Sequence, residues 1–259
     1  MEIIIIPLVV FTASILTFFS GFGLGTLLLP VFSIFFPIEI AIFATAIVHF
    51  FNSLFKLVFV FKKINISILL GFAPSAILFA LFGGATLGYL KYYNLELTYT
   101  ILVFKNTITP IKMIVGMTMI TFAIIELLFK KKSFEITPSR LILGGMLSGF
   151  FGGLSGHQGA FRSMFLAKAE ISKEEFIATS SATGFLIDVS RLCIYLVTFR
   201  HFSSSLVNFN PVLMISIAVA FLGSYVGSRV LEKITIKLIQ KVVVLFLFLF
   251  GLLICLGFI

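Results

Sequence analysis

Long apolar stretches, separated by short polar segments, follow one another along the whole chain. They occupy residues 3–36, 40–61, 68–90, 111–129, 141–167, 176–199, 211–230 and 236–259. Most of them contain about the 20 apolar residues that a helix needs to cross a bilayer once. The pattern therefore predicts an all-α polytopic membrane protein in which these stretches are helices.

Glycines interrupt two of these stretches. As one helix, stretch 3–36 would be about 51 Å long at ~1.5 Å per residue, which exceeds the ~30 Å hydrocarbon layer. Glycines alternate with apolar residues at 21–25, and segment 152–159 of stretch 141–167 combines four glycines with a His and a Gln. We expect both stretches to be broken-helix hairpins that meet near the middle of the membrane, where non-helical backbone must line a protein-enclosed cavity.

The basic residues distinguish hairpins from full crossings. If both broken stretches return to their own side, twelve Lys and Arg residues share one face of the membrane and four share the other; if both cross, the split is seven against nine. Cytoplasmic loops carry a clear excess of Lys and Arg, so we expect hairpins, with both termini outside. The inner set is Lys62, Lys63, Lys130, Lys131, Lys132, Arg140, Lys168, Lys173, Arg229, Lys233, Lys237 and Lys241, and the outer set is Lys91, Lys105, Lys112 and Arg200.

Each half of the chain then contains one hairpin and three full spans. The first repeat, 1–135, has the hairpin 3–36 and the spans 40–61, 68–90 and 111–129, and the second repeat, 136–259, has the hairpin 141–167 and the spans 176–199, 211–230 and 236–259. Because three is odd, the second repeat is predicted to be inverted relative to the first, as in many secondary transporters. Gly84-x-x-x-Gly88 and Gly223-x-x-x-Gly227 are expected to bring spans three and seven into close contact.

Composition agrees with a membrane protein and limits its chemistry. Hydrophobic residues make up 60% of the chain and the mean hydropathy is +1.20, whereas soluble domains are about 45–50% apolar. The net charge of +9 fits inner loops that face anionic lipid and requires no nucleic acid. Cys193 and Cys255 lie in apolar stretches, which favours packing over a disulfide. The first residues lack a signal-peptide pattern, so we expect a retained segment in the inner (plasma) membrane, and no motif implies a cofactor.

Two ordered sets of short motifs run along the chain. The first set is the glycine break at 21–25, Pro37-Ile38-Glu39, Ala44-Thr45, Lys62-Lys63, and Gly84 with Gly88. The second set is segment 149–159, Ile171-Ser172-Lys173-Glu174-Glu175, Ala178-Thr179-Ser180, and Gly223 with Gly227. In this order they resemble the sulfite exporter TauE/SafE family over nearly the whole chain. The resemblance implies a membrane permease for sulfite, sulfonates or related organic anions. His157, Gln158 and Arg162 depart from the small residues common in that family and indicate a subgroup with its own substrate.

Four charged side chains are expected deep in the membrane, away from the ends of the predicted spans and hairpins, where a buried charge is costly and often functional. Arg162 fits substrate binding through paired hydrogen bonds to an oxyanion, a position at the inner interface, or a structural ion pair. Asp188 and Arg191, three residues apart on one helix, fit either a structural pair or a gating or proton-coupling pair. Lys56 fits substrate contact or snorkelling to the inner interface. With three cations against one acid, the interior favours an anionic substrate.

Further polar and glycine positions complete the candidate substrate site. His49, Asn52 and Lys56 form a polar stripe on one helix, which would line the cavity or bond to a neighbouring helix. His157 and Gln158 would bind the anion or satisfy carbonyl groups freed by the helix break. The remaining candidates for substrate contact are Gly23, Gly25, Gly156, Gly159, Thr45 and Thr179. The two threonines also fit packing against a hairpin.

The sequence therefore predicts a secondary transporter of small sulfur-containing or organic anions, such as sulfite, sulfonates or carboxylates, rather than an enzyme. Alternating access would come from one repeat rocking against the other, with the glycine breaks as hinges. The expected partners are the anion and the lipid bilayer, with a homodimer as a possible assembly. Two alternatives stay open: a membrane scaffold without a substrate, and an intramembrane serine protease. The second arises because Gly153-Leu154-Ser155-Gly156 fits a Gly-x-Ser-Gly pattern, with His49 or His201 as the base.

Overall fold

Helices dominate the computed structural model, which describes residues 1–20, 23–92, 95–101, 104–129, 135–198, 203–230 and 236–259. Within these ranges the helices are α1 (Glu2–Ser20), α2 (Gly25–Phe35), α3 (Ile38–Val60), α4 (Ile66–Tyr92), α5 (Pro110–Phe129), α6 (Pro138–Ser155), α7 (Gln158–Leu166), α8 (Lys173–Thr198), α9 (Ser203–Val230) and α10 (Ile236–Cys255). A 3-10 turn, Phe61–Lys63, joins α3 to α4. The prediction of a helical membrane protein is confirmed. Several residues used in the predictions lie outside the described residues. They are the lysines at 130–132 and 233, which support the charge-based topology, and His201.

The distribution of polarity is that of a protein in a bilayer. In the described part of the chain, five helices are long and apolar enough to cross a membrane: α3 with its 3-10 turn, α4, α8, and most of α5 and α9. Large apolar side chains such as Phe59, Phe82 and Leu196 are more than half exposed, whereas Asp188 and Arg191 are completely buried. Lipid can cover exposed apolar groups but not isolated charges. The chain is therefore a multi-pass membrane protein.

A stripe of glycines packs α6 closely against α4. Gly145, Gly149 and Gly153 are four residues apart and face α4. A Cβ on Gly149 would lie 2.1 Å from the Ala76 carbonyl oxygen, and one on Gly153 would lie 2.0 Å from that of Ala80. Only glycine allows two backbones to approach this closely. Because the contacts advance together along both helices, α6 and α4 run parallel.

The two GxxxG motifs also mediate close packing, but against other helices than predicted. The contacts are Gly84 with Ile194, Gly88 with Thr198, Gly223 with Phe11, and Gly227 with Ile15. The α4 motif therefore packs on α8, parallel to it, and the α9 motif packs on α1, also in parallel. The predicted interface between spans three and seven is wrong, because a GxxxG spacing marks a close approach without specifying which helix approaches.

The second broken stretch turns back on itself at the end of α6. Gln158 at the start of α7 bonds to Asp188, whereas Arg162, one turn further along α7, bonds to Ser180. α7 therefore runs antiparallel to α8. Since α8, α4 and α6 are parallel to one another, α6 and α7 point in opposite directions.

The first broken stretch ends its two helices at different levels of α3. The end of α1 lies beside Lys56, where the Lys56 Nζ donates to the Thr17 carbonyl oxygen at 3.4 Å. α2 begins near Thr45, since a Cβ on Gly25 would lie 3.5 Å from the Thr45 Cγ2. From there α2 runs to the start of α3, to which it is antiparallel.

Two pairs of helices that hold corresponding places in the two halves run antiparallel. In α3 and α8, Phe43 packs on Tyr195, with ring centroids 6.4 Å apart, and His49 contacts Asp188 further along. In α5 and α10, Gly116 faces Gly251 and Cys255, and the Cys255 Sγ lies 3.5 Å from the Met113 carbonyl oxygen. These contacts advance along α5 as they go back along α10, so α5 and α10 are also antiparallel.

Local sequence explains where two of the helices begin. Thr137 caps α6, since its hydroxyl accepts from the Arg140 N–H at 3.4 Å, and Pro138 occupies the first turn. Ser172 and Glu175 form a capping box before α8: the Ser172 N–H donates to the Glu175 carboxylate at 2.9 Å, and the Glu175 N–H donates to the Ser172 hydroxyl at 3.2 Å. Both caps satisfy N–H groups that a helix leaves unpaired at its start.

A short β-hairpin interrupts the helical pattern between α4 and α5. Strand β1 (Leu97–Ile101) pairs antiparallel with β2 (Phe104–Ile108). The Tyr99 hydroxyl donates to the Leu256 carbonyl oxygen, so the hairpin lies over the C-terminal end of α10. The apolar pattern predicted no strand between the spans 68–90 and 111–129.

Candidate functional site

The two helix breaks lie against each other. Gly23 and Gly156 have φ angles of 58° and 80°, in the left-handed region that glycine adopts at little cost. A Cβ on Gly23 would lie 3.2 Å from the Gly159 Cα, and a Cβ on Gly25 would lie 3.0 Å from the Gly156 carbonyl oxygen. The glycines therefore let the α1–α2 and α6–α7 breaks touch through their backbones.

Asp188 is the centre of a buried polar network beside these breaks. Its Oδ1 accepts from the Arg191 Nε at 2.9 Å and from the Gln158 Nε2 at 2.8 Å, and lies 2.7 Å from the Arg191 Nη2. Its Oδ2 lies 2.5 Å from the His49 Nδ1. Asp188 and Arg191 are completely buried and His49 is 2% exposed. Donors from α3, α7 and α8 thus compensate one carboxylate inside the bundle.

Gln158 links this network to Arg162. Its side-chain nitrogen donates to Asp188, and its Oε1 accepts from the Arg162 Nη1 at 3.1 Å. The Arg162 Nε donates to the Ser180 hydroxyl at 2.8 Å. The Ser148 hydroxyl donates to the Gln158 backbone carbonyl at 2.9 Å and so fixes the first turn of α7 against α6. The position of the Arg162 guanidinium therefore depends on α6, α7 and α8 together.

A small cavity of about 20 Å³ lies beside the Arg162 guanidinium. It is lined by Thr17, Phe18, Gly23, Ser53, Lys56, Arg162, Phe176, Ile177, Ser180 and Ser181. Among the described residues, the lining contains two cationic side chains and several hydroxyl groups but no carboxylate. The volume holds about one water-sized molecule, so any larger ligand requires the surrounding helices to separate.

Lys56 reaches the cavity from α3 and is only 7% exposed. Its ammonium lies 3.4 Å from the Thr17 carbonyl oxygen and 5.2 Å from the centre of the Phe18 ring. The carbonyl and the ring face both favour a cation there. These contacts hold Lys56 inside the bundle, at the wall of the cavity.

The polar stripe predicted on α3 does not face one cavity. His49 contacts Asp188 of α8, Lys56 contacts α1, and the side-chain Oδ1 of Asn52 accepts from the Ser224 hydroxyl of α9 at 2.5 Å. Asn52 therefore bonds to a neighbouring helix, which is one of the two roles that the sequence allowed. Of the three residues, Lys56 alone is part of the cavity lining.

The other candidates for substrate contact that lie outside the cavity lining are Gln158, Gly25, Gly156, Gly159, His157, Thr179 and Thr45. The His157 Nδ1 lies 2.9 Å from the Ser155 Oγ, and its ring stacks on that of Phe122 with centroids 5.7 Å apart. The Thr179 hydroxyl accepts from the Asn65 backbone N–H at 3.0 Å, at the turn before α4. Thr45, on α3, packs its methyl group near the helix breaks.

Sequence reasoning missed several polar groups of the cavity and the partner of Asp188. Ser53, Ser181 and the Thr17 carbonyl drew no attention, because single hydroxyl residues are common in membrane helices. Ser180 and Ser181 follow Ala178-Thr179, and four small or hydroxyl residues in an apolar stretch are a usable signal. The contact between His49 and Asp188 spans 139 residues and had no signal along the chain.

The chemistry of these groups suits an anion better than a metal ion. Cationic and hydroxyl donors dominate the cavity wall, whereas zinc and calcium sites in proteins are built mainly from carboxylate, imidazole, thiolate and carbonyl ligands and are disfavoured by nearby cations. Within the described ranges there is no cluster of three or more His, Cys, Asp or Glu residues suited to a metal. The arrangement can donate hydrogen bonds to an oxyanion and supply positive charge near it.

Comparison with known proteins agrees with the helical arrangement. The sequence model of the sulfite exporter TauE/SafE family matches residues 6–254, nearly the whole chain. No curated protein and no solved structure matches the sequence of this chain. The family match covers both helix breaks and every element that contributes to the cavity. The resemblance seen in the sequence is thereby confirmed, and the chain belongs to the sulfite exporter TauE/SafE family, a family of membrane transporters.

Proposed function

We propose that this protein carries small sulfur-containing or organic anions, such as sulfite, sulfonates or carboxylates, across the membrane. The anion binds in the cavity beside the two helix breaks. One observation carries the proposal: Lys56 and Arg162 enter the same cavity from different helices, and none of the described residues that line it carries a carboxylate. Two desolvated cations that face a common space are costly unless an anion offsets them.

The hydrogen-bond inventory of Arg162 supports this role. A guanidinium carries five N–H donors, and the contacts with Ser180 and Gln158 use two of them. The Ser180 and Ser181 hydroxyls and the Lys56 ammonium add further donors around the same space. A tetrahedral or planar oxyanion accepts several such bonds at once. Gln158 supports the anion indirectly, by holding Arg162.

Helix packing supports an inverted-repeat arrangement and alternating access. The contact between α6 and α4 corresponds to that between α1 and α9 when the two halves of the chain are exchanged. The counterparts α3 and α8, and α5 and α10, run antiparallel, as expected for halves related by an axis in the membrane plane. Touching glycine breaks at such an axis provide a place where access changes from one face to the other.

The same packing supports the proposed topology. Lys63 at the end of α3 forms an ion pair with Glu174 at the start of α8, with an N···O distance of 3.0 Å. This contact places two segments of the predicted basic face at one end of the bundle. We assign this end to the cytoplasm, in the inner (plasma) membrane, because Lys and Arg accumulate in cytoplasmic loops.

A thermal-shift screen of the purified protein in detergent tests the site. The ligands are sulfite, sulfoacetate, acetate and a neutral isostere, each with the wild type, Arg162→Gln and Lys56→Gln. A ligand at about 100 times its Kd stabilises the folded protein by ~2.7 kcal/mol. We expect one or more anions to raise the Tm of the wild type and to lose most of this effect in both variants.

Arg140→Gln is the matched control, since it removes an arginine that is exposed at the start of α6. It should retain the full anion-dependent shift. An anion that stabilises the Arg162→Gln, Lys56→Gln double variant as much as the wild type would move the site elsewhere. Uptake or efflux of the best ligand in proteoliposomes, abolished in the same variants, then tests transport itself.

One specific contact favours the protease alternative. The Ser155 hydroxyl lies 2.9 Å from the His157 Nδ1, so a Ser–His pair does exist, although with a different histidine than expected. Both side chains are only 1% exposed, and neither belongs to the cavity lining. A transporter predicts that Ser155→Ala leaves anion binding unchanged, whereas a protease predicts loss of cleavage of a membrane substrate.

A further inference from the structure

The pair formed by His49 and Asp188 lies directly behind the wall of the cavity. Ser53 lines the cavity and places its Oγ 3.4 Å from the His49 Nδ1. Gly23 also lines the cavity, and a Cβ on it would lie 3.5 Å from the His49 Nε2. A single layer of protein atoms therefore separates the imidazole from a ligand in the cavity, and charge on either side of that layer is felt on the other.

Asp188 determines which imidazole nitrogen carries hydrogen. A carboxylate accepts hydrogen bonds, and its Oδ2 lies 2.5 Å from the His49 Nδ1. Nδ1 therefore donates, and a second proton can be added only at Nε2, on the side of Gly23. Histidine is the side chain whose unperturbed titration lies closest to neutral pH.

Charged groups from several helices surround this imidazole. Asp188 and Arg191 on α8 and Arg162 on α7 act on it directly. The set is completed by groups that neighbour these three in turn: Lys56 on α3, Tyr195 on α8 and His157 at the α6–α7 break. The one acid and three cations of this set give a formal charge of +2 while both histidines are neutral. Protonation of His49 raises it to +3. An anion in the cavity lowers the cost of that added charge, so anion and proton favour each other's binding.

Gln158 provides a mechanical link between the two sites. Its Nε2 donates to the Asp188 Oδ1 at 2.8 Å and lies 3.4 Å from the His49 Nδ1. Its Oε1 accepts from Arg162 at 3.1 Å. An anion that draws the Arg162 guanidinium into the cavity therefore also changes the hydrogen bonding of Asp188, the partner of His49.

We propose that His49 binds a proton together with the transported anion, so that both cross the membrane in the same direction. The proton comes from water on the side to which the cavity is open and is held at the His49 Nε2; it leaves with the anion on the other side. The inference rests on the proposed function, because the cavity must first bind an anion.

Isothermal titration calorimetry of the purified protein counts the protons taken up when an anion binds. Sulfite and methanesulfonate are titrated near pH 7 in two buffers of different ionisation enthalpy. Methanesulfonate keeps its charge in this range, so any proton uptake with it belongs to the protein. The wild type should take up a fraction of a proton per anion and bind roughly fivefold or more tightly at about pH 6 than at about pH 8.5. His49→Asn should bind methanesulfonate without uptake.

His157→Asn is the matched control, because it removes the other histidine of the set and should keep the uptake. Should His49→Asn fail to fold, a second measurement still decides. The chain has three histidines, so the variant His157→Asn/His201→Gln retains His49 as its single imidazole. NMR of labelled histidine in this variant should show that added anion increases the protonated fraction at fixed pH.

The outcomes separate the two proposals. If neither anion binds the wild type, the proposed anion site is wrong. If an anion binds but the wild type takes up no proton, or His49→Asn takes up as many protons as the wild type, the proton coupling is wrong and the anion site stands. An unchanged protonated fraction in the single-histidine variant also overturns the coupling.

Discussion

Gly149→Ala measures how much the close packing of α6 on α4 contributes to stability. The new Cβ would lie 2.1 Å from the Ala76 carbonyl oxygen and 2.8 Å from both its carbonyl carbon and its Cα. All three atoms belong to the backbone, so no side chain can rotate away. An ordinary contact requires the helices to separate by more than about 1 Å at this point, which loosens the dense packing around it.

The expected cost follows from known effects of overpacking. Inserting one methyl group into a closely packed interior destabilises by about 1–3 kcal/mol. For a chain of this size, each kcal/mol lowers the Tm by about 2–4 °C. Gly149→Ala should therefore lower the Tm in detergent by roughly 2–12 °C. Size-exclusion chromatography after heating, which reports the fraction that stays folded, measures this shift.

Gly71→Ala is the matched control in the same interface. The three atoms nearest to its new Cβ all belong to the Leu141 side chain, and the closest is Cδ1 at 2.9 Å. This end of a flexible side chain can move. We expect a Tm change of less than about 2 °C. The packing argument is refuted if the two variants lose the same stability, or if Gly149→Ala loses none.

Three further predictions concern individual contacts and use the same Tm assay. Tyr195→Phe removes the hydroxyl that donates to the carbonyl at the end of α6 and should cost about 1–3 kcal/mol, since a buried acceptor is left unpaired; an unchanged Tm contradicts this. Thr137→Ala should cost about 0.5–2 kcal/mol through loss of the α6 cap, whereas Thr137→Ser should be nearly neutral; equal losses would exclude capping as the cause. Lys63→Gln should change the Tm by less than about 2 °C, because its ion pair with Glu174 is 59% and 67% exposed; a larger loss would show that the pair anchors the bundle.

The helical membrane fold was predictable because it depends on properties that are local in sequence. A stretch of ~20 apolar residues specifies a span wherever it occurs. The helix breaks could also be predicted from the sequence, because their backbone angles favour glycine. Gly23 and Gly156 adopt positive φ angles that other residues disfavour. The role of the other glycines of α6 could not be predicted from the sequence. Gly149 and Gly153 allow close packing on α4 and do not belong to the break.

Contacts between segments that are distant along the chain could not be predicted from the sequence. His49 and Asp188 meet because α3 and α8 are antiparallel neighbours, and no local pattern reports that arrangement. The GxxxG motifs failed as guides to a partner for the same reason. Of the deep cations, Lys56 and Arg162 were recognisable as unusual, but their convergence on one cavity depends on the packing of α1, α3, α7 and α8. Alternation of β-branched and aromatic residues at 97–101 would have been the signal for the missed strand.

The packing of the two hairpins has a consequence for how the chain is assembled. α6 belongs to the second half of the chain but is closest to α4 of the first half, and α1 of the first half is closest to α9 of the second. The halves are therefore interlocked: each one provides the packing surface for the first helix of the other's hairpin, whereas the second hairpin helices, α2 and α7, also pack on α3 and α8 of their own half. Severed between α5 and α6, neither fragment should fold alone, whereas fragments made together in one cell should recombine. If transport proceeds by alternating access as proposed, a simple rocking of one half against the other would have to pull apart both glycine-packed interfaces. This favours moving bodies that combine helices from both halves of the chain.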